Sequence, residues 1–200
     1  MSRLAVRAPL EKKKVTAQGA ATGLLGSLPA APVEDQTDAV PGVEVLFTRY
    51  AGYVAGIGHR ILARRGDVDD LVQEVFLQVH KDLGQLRDPT AVRGWLAMIT
   101  VRTAHRMLRV QRVKSMLGFD DAPDYLDVAA PSANPEQRET LAAIYRQLDK
   151  MPPRFRVPWV LRRFEERPVE QIAQLCGCSL ATAKRRIARA DSMLEEVTNE

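Results

Sequence analysis

The 200-residue chain is 46% hydrophobic and 27% charged, carries a net charge of +4 and has only two cysteines. That is enough apolar material for one or two ordinary cores, while no run approaches the ~20 apolar residues that span a bilayer. The lone Cys176–Gly177–Cys178 triplet, with His59, His80 and His105 far off in sequence, does not make a zinc set, so Cys176 reads as a small packing residue, Cys178 as a turn residue, and no metal or cofactor is expected.

Residues 1–41 are rich in Ala, Gly, Pro and Thr and hold no aromatic residue, which predicts a disordered N-terminal extension. Lys12–Lys14 precede a stretch with some features of a signal peptide, but Gly, Thr and Gln dilute its apolar part; the expectation is a cytoplasmic chain without membrane insertion.

From Val43 the apolar residues recur at helical spacing: Val43, Leu46, Phe47, Tyr50, Val54, Ile57 and Ile61. Gly52, Gly56 and Gly58 weaken that helix on propensity and suit a close helix crossing. A turn is expected at Arg65-Gly66-Asp67, then a helix from Val68 to about Asp82 with Leu71, Val72, Val75, Phe76, Val79 and Leu83 on one side. The acids Asp67, Asp69 and Asp70 crowd its first turn, where the helix dipole favours negative charge. Residues 84–90 read as a loop broken by Pro89. A third helix, about Ala91 to Lys114, has Trp95, Leu96, Ile99, Thr103 and Met107 as its inner face. Between Arg93 and Lys114 it holds six Lys and Arg and no acid, with Arg102, Arg106 and Arg109 forming a cationic stripe.

Residues 115–134, with Asp120, Asp121, Asp124 and Asp127, predict a flexible acidic linker. Asn134-Pro135-Glu136-Gln137 then starts a helix: Asn134 caps, Pro135 takes the first helical position and Gln137 completes a capping box. Leu141, Ile144 and Leu148 supply its apolar face, Met151-Pro152-Pro153 turns the chain, and Phe155, Trp159, Val160 and Phe164 belong to a bracing helix in which Pro158 is expected near the start. Val169–Cys176 is a short amphipathic helix, Gly177 ends it, and Ser179 caps a second helix carrying Thr182, Lys184, Arg185, Arg186 and Arg189, with no acid from Ser179 to Ala190. This is a helix-turn-helix whose second helix suits a DNA major groove. The expected fold is all-α: two small helical domains, 42–114 and 135–200, joined by the linker.

The stretches DVDDLVQEVFLQVHKDL and RGWLAMITVRTAHRMLR resemble region 2 of bacterial sigma factors, and LDKMPPRFRVPWVLRRFEERPVEQIAQLCGCSLATAKRRIARADSML resembles their region 4. With no third domain between, the resemblance is to the extracytoplasmic-function (ECF) group of the sigma-70 family. It implies a non-enzymatic protein that binds core RNA polymerase and promoter DNA, monomeric when free and held by an anti-sigma factor. Asp69, Asp70, Leu71, Gln73, Glu74 and Phe76 fall on the motif that docks on RNA polymerase. Trp95, Arg102, Arg106 and Arg109 fall on the surface that opens the minus-ten element, and Ser179, Thr182, Lys184, Arg185, Arg186 and Arg189 on the reader of the minus-thirty-five element. Several of these positions also suit structural roles: Leu71, Val72, Val75, Phe76 and Trp95 as core, Arg186 as a brace. Family members commonly carry Asn and Asp near Arg102 and Arg106, so this chain is the more basic there. Two rivals differ in kind: a helix-turn-helix regulator, dimeric on duplex DNA, and a sigma-like decoy that titrates an anti-sigma factor.

Overall fold

A computed structural model describes residues 41–118 and 133–198. The extension and the acidic stretch Asp120–Asp127 lie outside the described residues. Within them are seven α-helices and no strand: α1 (Val43–Leu62), α2 (Arg65–Asp82), α3 (Val92–Met116), α4 (Pro135–Lys150), α5 (Pro153–Arg163), α6 (Val169–Leu175) and α7 (Leu180–Thr198). The all-α fold of two helical units is as expected from the periodicity. The first unit is α1–α3, and the second is α4–α7.

The first chain reversal differs from the expectation. Arg65-Gly66-Asp67 is the opening turn of α2, not a turn before it. The break falls at Ala63, which takes a left-handed φ of 68° and returns its N–H to the His59 carbonyl. Gly66 is tolerated because the first helical turn asks few hydrogen bonds of its residues. The 84–90 loop is tighter than a plain loop: 3-10 turns occupy Leu83–Gln85 and Pro89–Ala91, the second capped by Asp88, whose carboxylate accepts from the Thr90 N–H at 2.9 Å.

α1 and α2 cross closely at Gly58, where a Cβ would stand 2.3 Å from Leu71 Cδ2. Leu71 is fully buried and has no room to swing aside. Gly58→Ala is therefore expected to destabilise the first unit by ~1–2 kcal/mol even after the helix-propensity gain. Gly94→Ala, with nothing within 4 Å of its Cβ position, should raise stability by up to ~1 kcal/mol. Thermal melts of the two variants should move in opposite directions.

α3 is buried over a wider arc than its expected inner face. Leu96, Ile99 and Thr103 are buried there, but so is a second row, Ala97, Val101, Ala104 and Leu108. The reason is its place: α3 packs on α1 and α2 and also touches α5 and α6 of the second unit. A helix with neighbours on two sides loses simple amphipathic patterning.

In the second unit the capping box is present as read: Asn134 Oδ1 accepts the Gln137 N–H at 2.8 Å and Gln137 Oε1 accepts the Asn134 N–H at 2.9 Å. Pro158 is the sixth residue of α5 rather than in its first turn, so the helix forgoes one backbone bond there. Trp159, 1% exposed, fills the core beside Phe164 and donates its indole N–H to Asp191 Oδ1 at 2.8 Å. Arg163 grips the same carboxylate at 3.0 and 2.9 Å. Asp191 thus ties α7 to α5.

Candidate nucleic-acid interface

The recognition helix is set by the turn before it. Gly177 has φ +60°; its N–H donates to Gln174 O at 3.1 Å, and the Cys178 N–H reaches Ala173 O at 2.9 Å. That is a Schellman stop, which needs a left-handed residue at this point. Ser179 then opens α7: its Oγ accepts the Thr182 N–H at 3.2 Å, and its hydroxyl donates to Thr182 Oγ1 at 2.9 Å. The Thr182 hydroxyl keeps its own hydrogen, so it is free to donate to a phosphate or to a base-edge acceptor.

Ala183, Ile187 and Ala190 form the buried face of α7. At 100° per residue, Thr182, Arg185 and Arg189 share an arc of about 60° on the outer side. Lys184, Arg185 and Arg189 are exposed. Lys184 lies on one flank of that arc, and Arg186 on the other. Arg186 is half-buried, close enough to His105 of α3 and to Cys176 to bias both electrostatically. Its position fits the brace as well as the DNA contact. Burial pushes the Cys176 thiol up to about 12, so it stays protonated at neutral pH and is a poor nucleophile.

On α3 the same helical arithmetic puts Trp95, Arg102, Arg106 and Arg109 within about 60° of one another. The three arginines are exposed, while Trp95 is half-buried and packs on the core with one side open. Arg106 is ion-paired with Glu74 of α2, which links the stripe to the acidic helix.

On α2, Asp69, Asp70 and Gln73 are exposed and Glu74 half-exposed, whereas Leu71 and Phe76 are turned into the core. Those two position the helix and do not line its outer face. Leu77, unremarked in the sequence, is 62% exposed and shares the face of Asp70 and Gln73. Its register, four residues past Gln73, was the available signal. Phe47 of α1 is also half-exposed and stacks edge-on against Phe76 at 4.9 Å. The outer surface of this unit therefore joins acids to exposed apolar groups, a composition that suits a protein partner better than DNA.

His105 sits at the seam between the units. Burial, then Arg109, then Arg186 hold its imidazole below the usual 6.5. A folded-state pKa below the unfolded value means the unfolded chain binds the proton more readily, so the stabilisation is full above about pH 6.5 and declines as pH falls below it. Melting at about pH 5.5 should fall short of that at about pH 7.5, and His105→Gln should shrink the difference. An equal acid loss in the variant would remove His105 from the cause.

Among the described residues no group of His, Cys, Asp and Glu could hold a metal ion, and no helix is long and apolar enough to cross a membrane.

Comparison with known proteins gives the two units separate matches. Residues 46–113 match the family model Sigma-70 region 2, and residues 141–190 match Sigma-70, region 4. The ECF RNA polymerase sigma factor SigE of Mycolicibacterium smegmatis is 31% identical over 163 residues, 79% of this chain and 62% of that protein. This chain thus spans a little under two thirds of that relative's length. The ECF RNA polymerase sigma-E factors of Haemophilus influenzae and Escherichia coli are each 29% identical over 160 residues, 76% of this chain and 84% and 83% of theirs. Among solved structures, the sigma factor RpoE in complex with the anti-sigma factor NepR from Bartonella quintana shares the fold, with TM-score 0.56 and 17% identity over 78% of this chain and 96% of that one.

Proposed function

The chain belongs to the sigma-70 family, in its ECF group, and from that premise we propose that it binds core RNA polymerase in the cytoplasm and directs it to promoters carrying a minus-ten and a minus-thirty-five element. The observation that carries the reading is the pair of basic helical faces, one on α3, which holds no acid, and one on the Ser179–Ala190 part of α7, which holds none either, each exposed and each within a different matched region.

In this reading α7 lies in the major groove of the minus-thirty-five element. Thr182 and Arg185 reach base edges or phosphates, Arg189 holds the backbone, and Ser179 sets the helix start. Arg102, Arg106 and Arg109 hold the strand at the minus-ten element, and the open side of Trp95 offers a stacking surface for an unpaired base. Asp69, Asp70, Gln73, Glu74 and Leu77 meet the polymerase, the acids guiding encounter and Leu77 burying area. An anti-sigma factor would act by covering these surfaces, as the complex of the Bartonella structure suggests. The protein performs no covalent chemistry, and it is a monomer when free.

Reconstituted transcription tests this: purified protein, bacterial core polymerase and a pool of promoter fragments, with and without Arg102, Arg106 and Arg109 changed to Ala. Specific initiation that the triple change abolishes is the expected result. Polymerase binding without initiation at any promoter would favour the decoy; a dimer that binds duplex DNA and ignores polymerase would return the chain to an ordinary regulator.

A further inference from the structure

The first turn of α7 carries apolar side chains that the packing of its unit does not use. Leu180 is 39% exposed, and Ser179 and Ala181 on either side of it are exposed as well. The side chains that anchor the helix in the core come later, at Ala183, Ile187 and Ala190. The cause is local. The Gly177 stop turns the chain out of α6, and the Ser179 cap starts α7 before the core is reached. The leading turn therefore stands proud of the body.

Helical geometry fixes how these side chains are arranged. With Ala183, Ile187 and Ala190 marking the core side, Ala181 and Arg185 both fall within about 30° of the opposite side. Ala181 thus lies one turn before Arg185 on the same lane. Leu180 is about 100° round from Ala181, on the flank of Lys184. The leading end presents an isobutyl group and a methyl group among Ser179, Lys184 and Arg185, all of them exposed. Phosphates take the cations and the hydroxyls, but they offer nothing to two apolar side chains.

The N-terminal residues of a recognition helix are the ones that reach base edges in the major groove. The edges there are polar in all four bases, and one base adds an apolar group: thymine, whose 5-methyl projects into the groove. We propose that Leu180 and Ala181 are specificity-determining residues that read a thymine methyl in the minus-thirty-five element. The identity of that element rests on the sigma reading. The small side chain of Ala181 brings the helix backbone close to the floor of the groove, where a larger one would hold it off. Burying one methyl is worth about fourfold in affinity. The apolar pair therefore sharpens the choice of a site that the arginines hold.

The test uses the full chain assembled with bacterial core polymerase, on the minus-thirty-five element it selects from a random pool of promoter fragments. Each thymine of that element is replaced in turn by deoxyuridine, which removes the 5-methyl group and leaves the protein untouched. At one thymine the affinity should fall about fourfold. In Leu180→Ala/Ala181→Gly, with helical circular dichroism unchanged, that ratio should fall to about one. Arg185→Ala should weaken binding to the thymine and deoxyuridine fragments alike and leave the ratio as it was. A selected element without thymine, or one indifferent to every replacement, would overturn the proposal and leave the sigma reading standing. Sensitivity that survives the double variant would assign the methyl to another group, Thr182 first, and overturn it too. So would a ratio lost equally in Arg185→Ala, since that would mean a shift of the whole helix. If the chain ignores polymerase yet selects duplexes by itself, the sigma reading falls, and the same replacements on the free chain still decide the methyl contact. If it prefers no duplex at all, both fall.

Discussion

Changing Arg185 and Arg189 together to Ala is expected to weaken binding to a duplex with the minus-thirty-five element about 100-fold and to lower the salt slope by about two log units. Both side chains are exposed on the outer arc of α7 beside Thr182, where a helix lying in the major groove meets phosphates and base edges. Lys184→Ala, on the flank, should cost less and lower the slope by no more than about one unit. Titration by fluorescence anisotropy at several salt concentrations, on specific and scrambled duplexes, separates the two kinds of contact. A loss shared equally by both duplexes assigns the arginines to the backbone. A loss confined to the specific duplex assigns them to bases. No loss on either would remove α7 from the DNA.

The second large effect falls on stability. Asp191→Ala should destabilise the second unit by ~2–4 kcal/mol, because it strands the buried Trp159 N–H and removes both carboxylate bonds to the partly buried Arg163 guanidinium. Asp191→Asn keeps an acceptor for the indole but loses the negative charge that faces Arg163, so it should cost about half as much. Denaturant melts followed by circular dichroism give the order. A variant as stable as the native chain would show that the carboxylate is not the tie between α5 and α7. The effect also reaches function, since α5 is what holds the recognition helix in place.

What was legible in the sequence was whatever is encoded locally. The Asn134–Gln137 box, the Gly177 stop and the Ser179 cap each depend on residues within a few positions of one another, and each stands where the pattern placed it. The helical faces were likewise readable wherever one side of a helix meets the core. α3 is less legible because Ala97, Val101 and Ala104 are small or plain residues whose burial comes from a second set of neighbours. The shift of the first reversal from Gly66 to Ala63 has a similar origin: an alanine in a left-handed conformation carries no sequence mark. Asp191 and the seam residues lay further out of reach. Tyr145 meets a carbonyl 85 positions away, and Arg156 meets carbonyls 95 and 94 positions away. An arginine in a basic chain looks like a surface or DNA-facing residue until its partners are known. Leu71 and Phe76 show the reverse. They belong to the motif that suggested the polymerase, yet the fold spends them on the core.

The two tryptophans divide between the units: Trp95 stands on α3, half-open beside the arginine stripe, and Trp159 is sealed in the core beside Asp191. Their light emission therefore reports on different events in the same unlabelled molecule. Trp159 should emit at short wavelength and shift red only when its unit unfolds. Trp95 should emit nearer the solvent value and be quenched by a base stacked upon it. Strand capture and loss of structure thus have separate optical signatures, and a stopped-flow record of both would place them in time.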